Sequence, residues 1–298
     1  MKFTDEIRRR AKAIIKNCFP APLKRYIWIN YYKKSSSRRL TKRSLISFEV
    51  NVTDHCNLNC RSCEHFSPIA DEKFLDIDTY TKDVERLSFL FDKKIEYIHL
   101  MGGEPLLHPR LDEIIEVSRK YFPEGVIEIV TNGLLVLRED GHFWDVCCKN
   151  NITIAITQYP IKLDYKRIEE KANAKNVRLR YYFLGKKTMH KRPFDLRGTQ
   201  NIEENFAVCH MANTCMQLFD GKLSTCVIIP YIHIFNKFFN QTMQVCEKDY
   251  IDIYKAKDKQ EIFDFLCRPI PFCRYCNIKK TKLGLNWAVS KQQIGEWT

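Results

Sequence analysis

The sequence contains no run of 18 uncharged apolar residues, and its first ten residues mix acidic with basic side chains. A membrane-spanning helix and a secretion signal both need an apolar run, so we expect neither and predict a cytoplasmic location. Acidic residues are scarce: 36 stand against 49 lysines and arginines, which gives a net charge of +13. This charge favours anionic partners, such as anionic small substrates, nucleic acid or an acidic membrane surface.

Cysteine, in contrast, is abundant. Thirteen cysteines occur in 298 residues. In a reducing compartment, cysteines at such density bind metal more often than they form disulfides, and the odd count agrees with metal binding. A chain of this length and 45% hydrophobic content can bury a large core, which suits one large domain or a large and a small one.

Three regions are predicted along the chain. Residues 1–44 are strongly basic and have apolar residues at helical spacing, which indicates an appended helix and linker. This helix either packs on the main domain or lies on a membrane surface as a peripheral contact. Residues 45–200 form the predicted main domain, and the cysteine-rich residues 201–298 form a smaller second one.

The main domain has the alternating pattern of an α/β protein with a parallel sheet. Apolar and β-branched runs alternate with amphipathic stretches that have helical periodicity. The predicted strands are Ile46–Val52, Ile95–Leu100, Val126–Val130, Ile152–Ile156 and Val177–Phe183. A sixth repeat is not clear, because the sequence becomes basic and irregular after Phe183.

Three cysteines with the spacing CxxxCxxC, Cys56, Cys60 and Cys63, directly follow the first predicted strand. A structural zinc site needs four closed ligands. Three thiolates instead satisfy three irons of a [4Fe-4S] cubane and leave the fourth iron open to bind something else.

This triplet resembles the cluster loop of the radical S-adenosylmethionine (SAM) superfamily. Two further segments agree in order and position: Met101-Gly102-Gly103-Glu104-Pro105 ends the second strand, and Thr131-Asn132-Gly133 ends the third. The resemblance implies a partial (β/α)6 barrel whose [4Fe-4S] cluster cleaves SAM to a 5'-deoxyadenosyl radical. An outside donor such as flavodoxin or ferredoxin would supply the electron.

The same resemblance assigns the SAM-binding residues. The segment Gly102, Gly103, Glu104 and Pro105 would bind the methionine amino group, with Glu104 as an acceptor. Thr131 and Asn132 would lie against SAM. Many relatives have an aromatic residue where this chain has Ser62, so adenine stacking would come from elsewhere, with His65 and Phe66 as candidates.

The second domain is similar to the auxiliary-cluster domains called SPASM and twitch. No cysteine follows the CxxC at Cys273 and Cys276, so the shorter twitch domain fits better. The predicted ligands of a second [4Fe-4S] cluster are Cys209, Cys226, Cys273 and Cys276. Cys215 and Cys267 are alternatives, and a zinc site or simply buried thiols remain open.

The substrate is predicted from weaker signals. Arg178 and Arg180 share one face of the fifth strand, where they would point into the barrel and hold the SAM carboxylate or an anionic substrate. A solvated edge strand is the alternative. In one branch of the family a twitch cluster accompanies oxidation of a hydroxyl, so radical modification of a polar, carbohydrate-like small molecule is expected. Modification of a ribosomally made peptide is a second hypothesis, and a zinc-stabilised nucleic-acid-binding protein a third.

Overall fold

The computed structural model describes residues 46–183, 189–209, 211–212 and 216–298. The predicted helix and linker at residues 1–44 and the alternative ligand Cys215 lie outside the described residues. Helices and strands alternate through the first half, as the sequence pattern predicts. They are β1 (Ser47–Thr53), α1 (Ile77–Leu90), β2 (Tyr97–Gly102), α2 (Leu111–Tyr121), β3 (Val126–Thr131), α3 (Gly141–Lys149), β4 (Ile152–Gln158), α4 (Tyr165–Ala174) and β5 (Arg178–Phe183).

The second half contains shorter elements: β6 (Met189–Lys191), α5 (Ile202–Val208), β7 (Met216–Phe219), β8 (Lys222–Ser224), α6 (Ile232–Phe239), β9 (Ile251–Asp252), α7 (Lys259–Leu266) and β10 (Lys282–Leu285). None of the helices in the described residues has the length and apolar character that a membrane crossing requires.

One eight-stranded sheet carries the order β5-β4-β3-β2-β1-β7-β8-β9. Strands β1 to β5 pair in parallel, which confirms the predicted α/β class with a largely parallel sheet. A sixth parallel strand exists, but it is β7, and it pairs with β1 rather than with β5. The sheet therefore continues across the predicted boundary at residue 200, and the division into two domains stays a prediction.

The two faces of the parallel sheet differ because successive residues of a strand point to opposite sides. One face is apolar, and its row Phe48, Ile98, Ile127 and Ile152 is fully buried. The predicted helical stripes belong to the same core, since Val84, Leu87, Ile114, Ile115 and Ile168 are also buried. The opposite face carries polar residues, among them Glu49, His99 and Glu128 in one row.

Side-chain caps fix where these helices begin. Asp76, Asp140 and Asp164 each accept a hydrogen bond from the backbone N–H three residues later, at the starts of α1, α3 and α4. Each such cap stabilises its helix by about 1 kcal/mol. These three helices thus begin at defined residues. The loops that precede them, at the carboxyl edge of the sheet, are available to form a site.

Candidate functional site

An open cavity of about 350 Å³ lies at the carboxyl edge of the parallel strands. This is the edge at which α/β proteins of this type build their sites. The lining includes residues that follow β1, β2, β3 and β4: Cys56, Cys60, Cys63, Gly102, Gly103, Thr131, Asn132 and Tyr159. The polar face of the sheet adds Glu49, and the loop after the cysteines adds Glu64 and His65.

The three cysteines of the CxxxCxxC loop meet at this cavity. Burial raises the pKa of the Cys56 thiol to about 12 and that of Cys60 to about 11. Donors lie beside both sulfurs: the backbone N–H of Leu58 is 3.4 Å and the Asn132 amide nitrogen 3.8 Å from Cys56 Sγ, and the Trp287 indole nitrogen is 3.2 Å from Cys60 Sγ. These donors offset only part of the effect of burial, so a bound metal cation would supply the charge that deprotonates these thiols.

A single metal ion fits the cysteines less well than a cluster. In tetrahedral zinc sites the Zn–S distance is about 2.3 Å, which puts the sulfurs roughly 4 Å apart. Within the described ranges, no three His, Cys, Asp or Glu side chains are grouped closely enough to hold one ion. The three thiols nevertheless line one cavity, as the open site of a [4Fe-4S] cubane requires.

The glycines of the segment after β2 bring backbone close to the cysteine loop. Gly102 has a φ of +135°, which other residues rarely adopt. A Cβ atom at Gly103 would lie 1.8 Å from the carbonyl oxygen of His55. Both positions therefore require glycine, and their backbone lines the cavity beside the cysteines.

Glu104 lies behind the cavity wall. Its side chain is fully buried, does not line the cavity, and accepts hydrogen bonds from Leu106 N, Thr131 Oγ1 and Asn132 N at 3.2, 2.6 and 2.9 Å. Burial raises the pKa of this carboxyl to about 7. These bonds tie the segment after β2 to the end of β3, and a bond from the methionine amino group to Glu104 stays a prediction. Pro105, also buried, begins a short 3-10 helix there.

Thr131 and Asn132 do line the cavity, as the sequence predicts. The Asn132 amide nitrogen donates to Asn57 Oδ1 at 2.7 Å and lies 3.8 Å from Cys56 Sγ. The end of β3 is thus joined to the cysteine loop on one side and to Glu104 on the other.

Arg180 is not at the cavity. Its guanidinium donates to Glu128 Oε1 at 2.8 Å, and the side chain is half exposed. Glu128 also accepts from the hydroxyl of Tyr182 and lies 3.4 Å from His99 Nε2. Arg180 therefore belongs to a polar row on the sheet, and its contact with the SAM carboxylate or an anionic substrate stays a prediction.

This polar row continues to the cavity. The other nitrogen of His99 lies 3.8 Å from Glu49 Oε1, and Gln217 on β7 donates to Glu49 Oε2. Burial alone would lower the pKa of His99, but hydrogen bonds to Glu128 and Glu49 raise it to about 9. A protonated His99 thus links the two carboxylates and fixes Glu49 at the cavity wall.

We expect the free energy of unfolding to fall as the pH rises from about 6.5 to about 9. The pKa of His99 is higher in the folded state than in the unfolded state. Protonated His99 therefore contributes its full stabilisation of the fold below pH 6.5, and this contribution is lost as the pH rises to about 9. The loss is up to about 3 kcal/mol. Urea unfolding at pH 7 and 9.5 measures it, and His99→Gln should lose much less stability over this interval. Equal losses in both proteins would contradict the linkage.

A second group of cysteines lies around a separate, small cavity of about 20 Å³. Cys209, Cys226, Cys273 and Cys276 all line it, whereas Cys267 does not. Burial raises the pKa of Cys226 to about 12 and that of Cys276 well above its usual range. Four thiols from three distant segments therefore face one buried space, and none is paired in a disulfide.

A buried ion pair separates the two cavities. Glu64 lines the first cavity and Arg192 lines the second, and their side chains are 3.1 Å apart. Arg192 Nη1 also lies 3.9 Å from Cys209 Sγ. A guanidinium beside buried thiols favours their anionic form.

Sequence reasoning missed Tyr159, Glu64, Arg192 and Trp287. Tyr159 follows β4 as the cysteines follow β1, so strand position offered a signal for it. Trp287 is 227 residues from Cys60, and no local spacing could have paired them.

Part of the chain that builds the cavity matches a known family model. Residues 50–142 match the model of the Radical SAM superfamily. A GTP 3',8-cyclase of Nautilia profundicola is 34% identical over 92 residues, which are 31% of this chain and 29% of that protein. The Aquifex aeolicus GTP 3',8-cyclase is 33% identical over 105 residues, 32% of this chain and 30% of that one. The chain thus spans less than a third of the length of these relatives.

Solved structures resemble the chain more broadly but weakly. BtrN, solved with AdoMet and 2-DOIA, aligns with a TM-score of 0.48 at 17% identity, covering 78% of this chain and 93% of that one. Streptococcus suis SuiB bound to its precursor peptide SuiA aligns with a TM-score of 0.43 at 12% identity, covering 79% and 68%. Likenesses this weak carry no argument about a substrate.

Proposed function

We propose that this chain cleaves SAM reductively and abstracts hydrogen from a polar small molecule; the match of residues 50–142 to the Radical SAM superfamily model supports this. Cys56, Cys60 and Cys63 would hold a [4Fe-4S] cluster, which supplies the electron that breaks SAM into methionine and a 5'-deoxyadenosyl radical. The observation that carries the proposal is that all three thiols line one cavity with the glycine segment and the end of β3.

Backbone and amide groups would bind SAM there. Gly102 and Gly103 leave backbone uncovered beside the cysteines, and Thr131 and Asn132 lie at the neighbouring strand end. Glu104 would act through these residues, since its carboxylate holds the 131–132 backbone and side chain in place. The cavity walls would also shield a radical from water.

A buried polar atom without a partner supports a polar substrate. His65 Nδ1 lies 3.1 Å from the carbonyl oxygen of Gly102, so it carries the proton and leaves Nε2 as an acceptor. His65 lines the cavity, and its Nε2 is buried and finds no hydrogen-bond partner among the described residues. An apolar ligand would leave this nitrogen unsatisfied, at a cost of about 1–3 kcal/mol.

A second [4Fe-4S] cluster on Cys209, Cys226, Cys273 and Cys276 would make a net oxidation possible. Such a cluster can accept the electron that remains when a substrate radical loses a proton, so that a hydroxyl becomes a carbonyl. The cavity between the four thiols, and the Arg192 guanidinium beside Cys209, support a negatively charged group at this position.

We predict that a polar small molecule raises 5'-deoxyadenosine formation above the substrate-free level in the anaerobically reconstituted, reduced protein. The panel should contain neutral polyols, amino sugars, GTP as the substrate named for the relatives, and ribosomal precursor peptides. Each SAM consumed should yield one two-electron-oxidised product. His65→Phe, which removes the unpartnered acceptor at the cavity, should lose the substrate-dependent increment. Stimulation by peptides alone would support the second hypothesis and contradict this one.

A further inference from the structure

The cysteine loop is held by a segment that follows β10. This clasp segment, residues 287–297, pairs with the loop as a short antiparallel strand at Cys60 and Val289. Arg61 N donates to Ala288 O, and Ser290 N donates to Asn59 O, both at 2.9 Å. Backbone hydrogen bonds on both sides of Cys60 thus fix the middle of the loop.

Side chains extend this contact to the rest of the loop. Ser62 Oγ donates to the carbonyl oxygen of Glu296 at 2.7 Å, and the Trp297 indole donates to the carbonyl oxygen of Cys63 at 2.8 Å. Ser62 has a φ of 57°, a left-handed conformation that is uncommon outside glycine. The clasp segment therefore stabilises a loop conformation that is costly by itself.

Trp287 is the one clasp residue whose side chain reaches a cysteine sulfur among the hydrogen bonds of the described residues. Its indole nitrogen lies 3.2 Å from Cys60 Sγ, and the loop and clasp backbones are paired at the adjoining residues. Trp287 does not line the cavity. It cannot act on SAM or a substrate by contact, so any effect on chemistry passes through Cys60.

A donor on a ligating sulfur changes the energy of a cluster. Hydrogen bonds to the sulfurs are among the factors that set iron–sulfur potentials. The reduced cluster carries one more negative charge than the oxidised one, and hydrogen bonds to charged groups are stronger. An N–H directed at Cys60 Sγ therefore stabilises the reduced state more than the oxidised state.

We propose that Trp287 is a positioning residue that raises the reduction potential of the cluster on Cys56, Cys60 and Cys63 through its bond to Cys60. The inference rests on the proposed function, because it needs that cluster. Trp287 would make the cluster easier to reduce by an external donor, and the backbone pairing beside it would hold the sulfur in register with the indole N–H.

The test is a redox titration of the reconstituted protein, followed by electron paramagnetic resonance, for wild type and Trp287→Phe. The variant keeps an aromatic ring and loses the N–H. We expect the equilibrium constant for reduction to fall about fivefold to tenfold, and tenfold is 59 mV for one electron. Trp144→Phe is the matched control, because Trp144 is buried, its indole N–H has no partner among the described residues, and it does not line the cavity.

The outcomes separate the two proposals. An unchanged potential with intact iron content in Trp287→Phe would overturn the role of Trp287 alone. Absence of iron from wild type would contradict the proposed function as well. If only Trp287→Phe loses its iron, pulsed resonance on protein with ¹⁵N-indole tryptophan decides. Because the Trp297 indole also lies near the loop, at the carbonyl oxygen of Cys63, a nitrogen coupling retained in both Trp144→Phe and Trp297→Phe supports the Trp287 bond, and loss of the coupling in Trp297→Phe overturns it.

Discussion

Replacing Cys60 with alanine is expected to reduce 5'-deoxyadenosine formation to the level of iron-free protein. Cys60 is the middle ligand of the predicted triplet, it lines the main cavity, and it receives the Trp287 N–H bond. With two thiolates left, a cubane at this position would lack one of its three protein ligands. The measurement is iron, sulfide and 5'-deoxyadenosine after anaerobic reconstitution with reductant and SAM.

The matched control is Cys246→Ala. Cys246 is an exposed cysteine outside both cavities. Its replacement should leave iron content and SAM cleavage at the wild-type level. Retained cleavage in Cys60→Ala, with wild-type iron, would remove this triplet from the chemistry.

Replacing Cys226 with alanine is expected to separate the two clusters. Iron per chain should fall from about eight to about four, because a [4Fe-4S] cubane contributes four irons and the first triplet is untouched. Cleavage of SAM should continue, whereas formation of an oxidised product should stop because the electron acceptor is missing. Iron analysis and product analysis on one preparation give both numbers.

Cys267→Ala serves as the control for this second site. Cys267 is half-buried in the same part of the chain but lies outside the second cavity. It should keep about eight irons and full product formation. If wild type contains about four irons together with zinc, and Cys226→Ala loses only the zinc, then the second cavity is a zinc site and the oxidation scheme fails.

The parallel strands were predictable because their signals are local. The predicted strand Ile152–Ile156 lies entirely within β4, which ends two residues later, at Gln158. The exception is the sixth parallel strand. Strand β7 is only four residues long and finds its partner, β1, about 170 residues earlier, so no nearby repeat indicates its position.

The sequence predicts those cavity residues whose type has few structural uses in proteins. The three thiols and the two glycines are at the cavity, because thiol ligation and close backbone approach leave few alternatives. For Glu104 and Arg180 the sequence cannot separate a ligand contact from an internal one, because a carboxylate or a guanidinium can serve either purpose. In the structure Glu104 accepts hydrogen bonds from three donors and Arg180 donates to Glu128.

The clasp explains one feature that the sequence left open. Ser62 stands where many relatives carry an aromatic residue, and its hydroxyl is used for a bond to Glu296 O. His65, a candidate for adenine stacking, packs edge-on against Tyr231 and bonds to Gly102, which favours a polar contact over stacking. The roles of Ser62 and His65 both depend on contacts with residues more than 35 positions away. Cysteine and motif spacing alone could not predict these contacts.

The most direct test of the central claim is electron paramagnetic resonance of the reduced Cys226→Ala protein with and without SAM. This variant should hold only the cluster on Cys56, Cys60 and Cys63, whose fourth iron is open. We predict a reduced-cluster signal whose g-values shift when SAM is added, because SAM binds that iron. A signal that SAM leaves unchanged, or no iron–sulfur signal at all, would contradict the account.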